Sequence, residues 1–588
     1  MDPPWKRGTM KEDLRIGLIE PYATKDGTLW GPRMKDLYSM VRLPSRAIDL
    51  LAAILRNRGF SSVTTFNPLY NRHRGRFHRE ELSALAKMDV VGISSITRTQ
   101  PPAYELARRL KKLNPGVWTV FGGPHVTALP EESLEHGDVV VRREGDATFV
   151  DLLERLAEGR SDPFLEDLPG ISYRHRDGSI RHNPERPFLT SEELSELPFP
   201  DLPHCVLRGI SNSVIVTSRG CPFACEFCAV ISQFGRGYRF LDTDRAVELI
   251  EHTLRQTRKP VFFGDDNFNA RPSRTRAILE RVLEKGIRMP PWGAQVRVEA
   301  AQDRDLLALM KRSGCSKVYV GFESINQDTL DLFNKRSSRE ENEAAIRAFH
   351  KAGLSIHGMF VLGSDADTLA TVRDTVAFAK EMRLGTAQFF ALTTLPGTPM
   401  TARYLEEGKV LNRNWHLYDA HHVVIEPARM TPHLLQQEIT RSHKDFYSWR
   451  EALRNLFSAP GDRLYNAKIR ILGSFLTLWI HRQVRTYRRQ LRTLETWSQE
   501  VENRYESLWR AWGSRVQTLG REISQTTEPV RESAEEFMGW LRKSLEPLPQ
   551  EFLPYCRRYV RPKIETIRKL LVSGECQPAP LPLSSSLS

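Results

Sequence analysis

Three of the seven cysteines, Cys221, Cys225 and Cys228, lie within one eight-residue stretch. Their CxxxCxxC spacing places three thiolates on one loop, and three thiolates can hold three irons of a cubane iron–sulfur cluster. The fourth iron then has no protein ligand, so it can bind a substrate or a cofactor, whereas a cluster with four protein thiolates can only transfer electrons. The spacing therefore predicts an iron–sulfur site that performs chemistry.

A structural zinc site is the main alternative for this loop. Zinc sites usually contain two cysteine pairs or a Cys/His pair, but the other cysteines, Cys205, Cys315, Cys556 and Cys576, are isolated from one another. A disulfide framework does not fit an odd number of cysteines in a chain of this length. We expect a cluster and retain zinc as the alternative.

The cysteine loop follows a short β-branched run at residues 214–217. Five more strand-like segments come after it, separated by helix-length amphipathic segments, at residues 260–264, 291–296, 317–321, 355–361 and 387–392. This alternation predicts an α/β fold with six parallel strands curved into a partial (β/α)6 TIM-type barrel. Sites in such barrels lie where the strands end. The residues at these ends are Cys221, Gly264, Asp265, Asp266, Glu323 and Gly363.

A second set of strands and helices precedes the cysteine loop. Strand-like segments at residues 14–19, 89–94, 117–121 and 138–141 alternate with helical ones, which predicts a doubly wound, Rossmann-like sheet. Ligands of such sheets bind at the carboxyl ends of the strands. The candidate binding residues there are Ser94, Ser95, Gly122, Gly123, Glu144 and Gly145.

The cysteine triplet, with Phe227 just before its third cysteine, resembles the signature of the radical S-adenosylmethionine (SAM) superfamily. The resemblance implies that the three cysteines bind a [4Fe-4S] cluster and that SAM chelates the fourth iron. It also implies that one electron cleaves SAM to methionine and a 5'-deoxyadenosyl radical, which abstracts a hydrogen atom from the substrate. The resemblance thus identifies the open iron as a SAM-binding position.

The same resemblance suggests further SAM-binding residues. Gly264, Asp265 and Asp266 occupy the place of the second-strand motif that meets the SAM amino group, with aspartate where the family usually has glutamate. Glu323 is similar to the acidic residue that approaches SAM after the fourth strand, and Gly363 follows the fifth.

The first set of elements resembles the cobalamin-binding domain of cobalamin-dependent radical SAM proteins. The matching pieces are residues 122–127, 129–132 and 143–146. The Asp-x-His-x-x-Gly loop that supplies a histidine ligand to cobalt is absent after the first strand, and we interpret His125 as a turn residue. Cobalamin is therefore expected as a third cofactor, bound without that histidine loop.

We predict five regions along the chain. They are a cobalamin-binding-like domain at 12–160, a hairpin and linker at 161–206, a radical SAM core with substrate loops at 207–440, a basic helical extension at 441–578 and a disordered tail at 579–588. His416, His421 and His422 fall in a predicted substrate-facing loop, where we expect a polar loop instead of a ligand set.

The last 148 residues are strongly basic. Residues 441–588 contain 25 basic and 16 acidic side chains, which accounts for +9 of the net charge of +13. An apolar run at 469–479 with arginines after it is typical of an interfacial helix on anionic lipid, so residues 465–490 are a candidate peripheral membrane contact. A helical subdomain that packs its aromatics on the barrel is the alternative. Nucleic-acid binding is not expected, because no recognition motif is present.

The sequence and its resemblances favour a cobalamin-dependent radical SAM enzyme that methylates an unactivated carbon of a small apolar substrate, with a lipid among the candidates. Hopanoid methylases and anaerobic porphyrin cyclases share this layout. The alternatives are a radical SAM oxidoreductase or cyclase and a non-enzymatic iron–sulfur electron-transfer protein. We expect a flavodoxin or ferredoxin as external electron donor. With no signal-peptide pattern and thiolates that must stay reduced, we expect a cytoplasmic protein, peripheral on the inner membrane face.

Overall fold

Two sheets of mainly parallel strands and a set of C-terminal helices make up the fold. The computed structural model describes residues 10–24, 26–31, 42–71, 77–158, 165–458, 463–518 and 528–573. Cys576 and the predicted disordered tail at 579–588 lie outside these residues.

The first sheet has seven strands: β1 Ile16–Ile19, β2 Val63–Phe66, β3 Val90–Ser94, β4 Trp118–Gly122, β5 Val139–Val141, β6 Ile171–Arg174 and β7 Ile180–His182. Their order is β2-β1-β3-β4-β5-β6-β7, with the first five parallel and the last two antiparallel. The hairpin predicted between the two domains therefore extends this sheet. Its turn uses Gly178 at φ +84, a conformation that glycine adopts without strain.

Helices cover both faces of the first sheet: α1 Ala47–Asn57, α2 Arg79–Leu85, α3 Gln100–Leu113, α4 Pro124–Ala128, α5 Pro130–Ser133 and α6 Thr148–Ala157. Residues of α1 and α6 form one hydrophobic cluster with Val120 of β4, whereas residues of α2 and α3 form another with Phe121. Successive residues of a strand point to opposite faces, so the two clusters lie on the two sides of the sheet. The doubly wound prediction is confirmed.

The second sheet contains six parallel strands in sequential order: β8 Ser213–Ile215, β11 Val261–Phe263, β12 Trp292–Val296, β13 Cys315–Glu323, β14 Ser355–Leu362 and β15 Thr386–Ala391. A two-stranded antiparallel ribbon, β9 Ser218–Arg219 and β10 Arg239–Phe240, flanks the cysteine loop. The strand order agrees with the predicted βα succession, and its curvature into a partial barrel stays a prediction.

Helices alternate with these strands: α7 Ser191–Glu196, α8 His204–Gly209, α9 Val230–Phe234, α10 Thr243–Gln256, α11 Pro272–Glu284, α12 Arg304–Arg312, α13 Gln327–Leu332, α14 Arg339–Lys351, α15 Leu369–Glu381 and α16 Pro399–Glu406. Local sequence sets several helix starts. At α14, for example, the Ser338 hydroxyl accepts the Glu341 N–H while the Glu341 carboxylate accepts the Ser338 N–H.

Five helices follow: α17 Pro432–Phe446, α18 Trp449–Ser458, α19 Arg463–Thr518, α20 Glu528–Ser544 and α21 Leu553–Ser573. On the 56-residue helix α19, Val484, Tyr487, Leu491 and Leu494 are buried at three- and four-residue spacing, as in an amphipathic helix that packs on a core. Tyr487, Leu491 and Leu494 belong to the same hydrophobic cluster as the second sheet. Across the described ranges, no helix has the length and apolar character to cross a bilayer.

Candidate functional site

The cysteine loop lies directly after β9, at the carboxyl end of the second sheet. Cys225 is buried, Cys221 and Cys228 are half-buried, and all three thiols are free. The Cys228 N–H donates to the Cys225 carbonyl at 3.1 Å, so the two residues share one tight turn. In the described part of the chain, no three His, Cys, Asp or Glu side chains converge enough to hold a single metal ion. Thiolates that bind separate irons of a cluster do not need such convergence.

One cationic side chain, that of Arg297, approaches this loop. The Arg297 Nη1 lies 3.8 Å from the Cys225 Sγ, and its guanidinium stacks over the Phe223 ring at 3.7 Å. Arg297 Nη2 also donates to the Lys335 carbonyl at 2.7 Å, which fixes the guanidinium beside the sulfur. Burial raises the pKa of the Cys228 thiol to about 12, so iron binding must displace its proton.

Asp265 and Asp266, at the carboxyl end of β11, face the cysteine loop differently. Asp265 Oδ1 accepts the Thr217 N–H at 3.1 Å and the hydroxyls of Thr217 and Ser218. Asp265 Oδ2 is buried and, among the described residues, has no hydrogen-bond partner. Asp266 Oδ2 accepts the Gly220 N–H at 3.1 Å. Burial raises the pKa of both carboxyls. A cationic partner beside either carboxyl would therefore stabilise its ionised form.

Glu323 ends β13 in the left-handed region, at φ +63, which is uncommon for a residue with a side chain. Its Oε1 accepts Lys335 Nζ at 2.9 Å, and both side chains are nearly buried. A Cβ on Gly321 would lie 2.3 Å from Glu323 Oε1, so glycine is needed there for the carboxylate to fold back over the strand. Gly363 has φ +100, and its N–H donates to Asp367 Oδ2 at 2.9 Å in a turn after β14.

A cavity of about 410 Å³ lies between the two sheets. One wall contains Gly264, Asp265 and Asp266 together with inner residues of the second sheet. The other wall comes from the carboxyl ends of β1, β2 and β3 and from the segment before α1: Glu20, Tyr22, Arg42, Arg46, Asn67, Tyr70, Ile96 and Arg98. The strand order reverses between β1 and β3, and ligands of doubly wound sheets bind at that reversal.

Arg46 joins the two walls. Its Nη1 donates to the Gly264 carbonyl at 2.6 Å, and its charge acts on Asp266 and Glu20. A smaller apolar cavity of about 120 Å³ adjoins the first and shares Arg46 and Val214 with it. Its apolar lining includes Leu50, Leu194, Leu197, Phe199, Leu241 and Leu249.

Two buried carboxylates and two half-buried arginines join the first sheet to the ribbon beside the cysteine loop. Arg219 NH groups donate to both oxygens of Asp146 at 2.7 and 2.8 Å, and Arg219 also pairs with Glu144 at 3.1 Å. Arg239 donates to Glu144 at 2.8 Å. We call this group the ionic clamp. The ion pair with Arg219 lowers the pKa of the Asp146 carboxyl despite burial.

Six residues at the strand ends of the first sheet were predicted to bind a ligand, and none of them is among the lining residues of the large cavity. The Ser95 hydroxyl donates to the side-chain oxygen of Gln100. The backbone of Gly123 lies against Ser95, since a Cβ on Gly123 would lie 2.2 Å from the Ser95 carbonyl oxygen. The carboxylate of Glu144 belongs to the ionic clamp. Gly122 alone faces open space, since a Cβ there would have no atom within 4 Å. Ser94 and Gly145 end or follow strands β3 and β5.

Among the histidines singled out in the sequence, His125, His421 and His422 are buried and His416 is half-buried. His125 lies in α4 with its ring 5.0 Å from Trp415, and its Nε2 is 3.5 Å from Glu132 Oε1. His422 Nδ1 lies 3.0 Å from Asp419 Oδ1, and this neighbour lowers the pKa of the Asp419 carboxyl. His421 is buried, and His416 pairs with Asn414 at 2.6 Å. The loop that carries these residues is therefore packed against the first sheet.

Sequence reasoning missed Arg46, Arg297 and Lys335. Arg297 directly follows the predicted strand at 291–296, so the rule that sites lie at strand ends could have identified it. Arg46 lies 218 residues from its partner Gly264, and no local pattern indicates that contact.

Comparison with known families gives two matches. Residues 215–379 match the radical SAM superfamily, and residues 40–153 match the B12 binding domain. The first range contains the three cysteines, Asp265, Asp266 and Glu323; the second contains Arg46 and the ends of β2, β3 and β4.

Individual relatives agree with these matches. An uncharacterized methyltransferase of Pyrococcus horikoshii is 32% identical over 372 residues, which are 61% of this chain and 78% of the relative. Bacteriochlorophyllide d C-8(2)-methyltransferase of Chlorobaculum tepidum is 28% identical over 389 residues, 63% and 80% of the two chains. The solved structure of the cobalamin-dependent SAM radical enzyme OxsB, with aqua-cobalamin and SAM bound, has a TM-score of 0.60 at 13% identity and covers 94% of this chain and 84% of its own.

Proposed function

This chain belongs to the radical SAM superfamily, with a B12 binding domain ahead of the radical SAM domain, and we propose from this premise that it methylates an unactivated carbon of a small apolar substrate. It is an enzyme, and its cofactors are a [4Fe-4S] cluster, SAM and cobalamin. The non-enzymatic electron-transfer alternative is therefore wrong.

The observation that carries the proposal is that one cavity opens at the carboxyl ends of both sheets. Asp265 and Asp266 line one wall, and the reversal point between β1 and β3 lines the other. Because both sets of strand ends open onto the same space, groups bound by either sheet can act on one substrate.

The residues present fit the expected cofactors. Three free thiols on one loop suit a cluster with an open iron, and the unpartnered Asp265 Oδ2 suits the cationic amino group of SAM. When bound, the cluster and SAM supply a carbon-centred radical, and cobalamin supplies a transferable methyl group. We propose Cys221, Cys225 and Cys228 as cluster ligands.

The protein's own groups orient and shield this chemistry. Arg297 places a positive charge beside Cys225, and hydrogen bonds to cluster sulfurs set reduction potential. Lys335 neutralises Glu323, and Arg46 holds the Gly264 turn against the first sheet. The two walls border the cavity on opposite sides, which limits the access of water to a radical formed there.

The smaller cavity, whose wall is mainly leucine, proline and phenylalanine, can hold an apolar group of a substrate whose remainder lies in the larger cavity. The similar Chlorobaculum protein methylates a bacteriochlorophyllide, and we propose an apolar, polycyclic or lipid-like substrate class for this chain as well. We also propose an external flavodoxin or ferredoxin as electron donor, and contact of residues 465–490 with the inner membrane face.

The test is anaerobic reconstitution of the full chain with iron, sulfide and cobalamin. We expect 5'-deoxyadenosine from SAM, and a metabolite that gains one methyl group in cells that contain the protein. An intact cluster without 5'-deoxyadenosine would contradict the site assignment. A product with a new ring and no added methyl group would favour the cyclase alternative.

Asp265→Asn tests whether the Asp265 carboxylate binds SAM. The amide oxygen can still accept from Thr217 and Ser218, but the charge that would attract the SAM amino group is lost, so we expect SAM cleavage to fall at least about tenfold through a raised KM. Asp201→Asn, at an exposed carboxylate, is the matched control. Equal KM values in the two variants would remove Asp265 from the SAM site.

A further inference from the structure

Large apolar side chains are exposed on α18 and α19. Trp449 and Leu453 of α18 are 57% and 58% exposed, and Leu472, Phe475 and Leu478 of α19 are 41%, 59% and 58% exposed. The two helices contact each other, so we call these five residues the apolar face. Elsewhere in the described ranges, the exposed large apolar residues lie on separate elements: Met10, Ile96, Leu113 and Leu332. A patch of this kind indicates an interaction surface.

The outward side of α19 continues from the apolar face into a basic stripe. The exposed residues, three or four positions apart, are Lys468, Leu472, Phe475, Leu478, Arg482, Arg485, Arg489 and Arg492. The opposite side packs on the core through Val484, Tyr487 and Leu491. Tyr487 also donates its hydroxyl to the Val423 carbonyl at 2.6 Å. Because this side is anchored, the stripe cannot turn inward.

The charge of this segment has one sign. The sequence from 463 to 494 contains no Asp or Glu. Within the ranges that the structure describes, Arg482, Arg485, Arg489 and Arg492 form no ion pair with an acidic residue. Burial lowers the pKa of His481, and the neighbouring Arg488, Lys444 and Arg485 lower it further, which reports a local cationic field. The surface therefore needs an anionic partner.

A second copy of the chain fits this surface poorly. A twofold contact pairs this surface with a copy of itself, and because residues 463–494 contain no Asp or Glu, the copy offers the arginines no carboxylate from this segment. An anionic bilayer offers both complements at once, with acyl chains for the apolar face and phosphate headgroups for the arginines.

We propose that the apolar face and the basic stripe dock the protein on an anionic lipid bilayer, with α18 and α19 lying in the plane of the interface. Leu472, Phe475 and Leu478 enter the boundary between headgroups and acyl chains, and Trp449 lies at headgroup level. The inference rests on the membrane contact proposed for residues 465–490, extends it to α18, and requires no turnover.

Vesicle flotation of the full reconstituted protein tests the docking. Vesicles contain phosphatidylglycerol and phosphatidylcholine or phosphatidylcholine alone. We expect binding to the anionic vesicles at least about tenfold tighter than to the neutral ones, and weaker binding as salt rises. Phe475→Asp with Leu478→Asp should lower binding at least about tenfold, as should Arg482→Glu with Arg485→Glu and Arg489→Glu.

Leu113→Asp is the matched control, since Leu113 is also 58% exposed and lies in α3 of the first sheet. Because all substituted side chains are exposed, the variants should keep the wild-type unfolding midpoint, and SAM cleavage in solution should stay at the wild-type rate.

Absence of wild-type binding to anionic vesicles would overturn the proposal, as would equal binding by every variant. If the wild type is a dimer and the Phe475 and Leu478 changes dissociate it, the apolar face would instead be assigned to contact with a second copy of the chain. Unchanged SAM cleavage in non-binding variants separates failure of docking from failure of the reaction.

Discussion

The first sheet and the C-terminal helices both contact the second sheet, and the two junctions differ in chemistry. The first sheet keeps two hydrophobic clusters of its own and meets the second through the ionic clamp, Arg46 and the large cavity. The C-terminal helices share one continuous hydrophobic cluster with the second sheet. The junction that contains the site is polar and hollow, whereas the supporting junction is apolar and filled. Substitutions at the polar junction should therefore mainly reduce function, whereas substitutions at the apolar junction should mainly reduce stability.

Cys225→Ala gives the largest expected effect at the polar junction. Without one of three thiolates the cluster cannot be held, so iron content after reconstitution and 5'-deoxyadenosine formation should fall to background, a loss of at least ~1,000-fold. Metal analysis and an assay for 5'-deoxyadenosine measure this. Cys205→Ala is the control, because Cys205 is an exposed free thiol on α8. Unchanged cluster content in Cys225→Ala would refute the ligand assignment.

Phe552→Ala tests the apolar junction. Phe552 is fully buried beside Tyr487, so truncation should lower the free energy of unfolding by about 3–5 kcal/mol while folded molecules still cleave SAM. Urea unfolding measures the loss. Phe475→Ala removes the same side chain from an exposed position and should change stability by less than ~0.5 kcal/mol. Similar losses in both variants would mean that this junction is not a shared core.

Asp146→Asn tests the ionic clamp. The change leaves Arg219 buried without its main partner, which should cost about 3 kcal/mol of unfolding free energy. Because the clamp joins the two sheets, methylated product per SAM cleaved should also fall by about tenfold. Asp244→Asn, which breaks an exposed pair with Arg281, should leave the unfolding midpoint in urea close to the wild-type value. A stability loss with unchanged product per SAM would limit the clamp to a structural role.

The smallest expected effect is a pH dependence at the apolar junction. His443 of α17 donates Nδ1–H to the Ile439 carbonyl, and its Nε2 accepts the Phe389 N–H. Burial lowers its pKa to about 4, so the folded protein keeps it neutral while the unfolded chain binds a proton near pH 6.5. Stability from this histidine is thus present above pH 6.5 and is lost as the pH falls toward 4. Between pH 7 and 5 the loss should be about 2 kcal/mol.

His443→Gln should remove this part of the pH dependence. Urea unfolding of the wild type and the variant at pH 7, 6 and 5 measures the difference. Parallel curves for the two proteins would mean that His443 does not titrate in this range.

Much of the fold follows from local patterns in the sequence. Runs such as Val90–Ser94 are continuously apolar, which is typical of a parallel strand buried on both faces. The strand Val63–Phe66 was not predicted, because its Thr-Thr centre resembles a polar connection and only pairing with β1 makes it a strand. The hairpin at β6 and β7 was predicted, but its membership of the first sheet depends on long-range pairing with β5.

The site also contains some residues that local sequence predicts and others that only the folded chain brings together. The cluster cysteines lie within one local motif, so their spacing alone predicts them. Arg297 reaches Cys225 across 72 residues, and Lys335 reaches Glu323 only because the chain turns back after α13. Glu144 matches a family turn, yet its carboxylate pairs with Arg219 and Arg239, a contact between domains that one sequence does not encode locally.

The ionic clamp also has a consequence for the order of assembly. The acidic partners, Glu144 and Asp146, lie in a sheet whose last strand ends at His182, so the ribosome completes that sheet before Arg219 and the cysteine loop emerge. Domains generally fold as units during synthesis, the N-terminal one first. The nascent loop can then form against a finished anionic surface, and the three thiols are arranged before the chain is released. The first sheet thus carries both acidic partners of the ionic clamp before the chain reaches the arginines that pair with them.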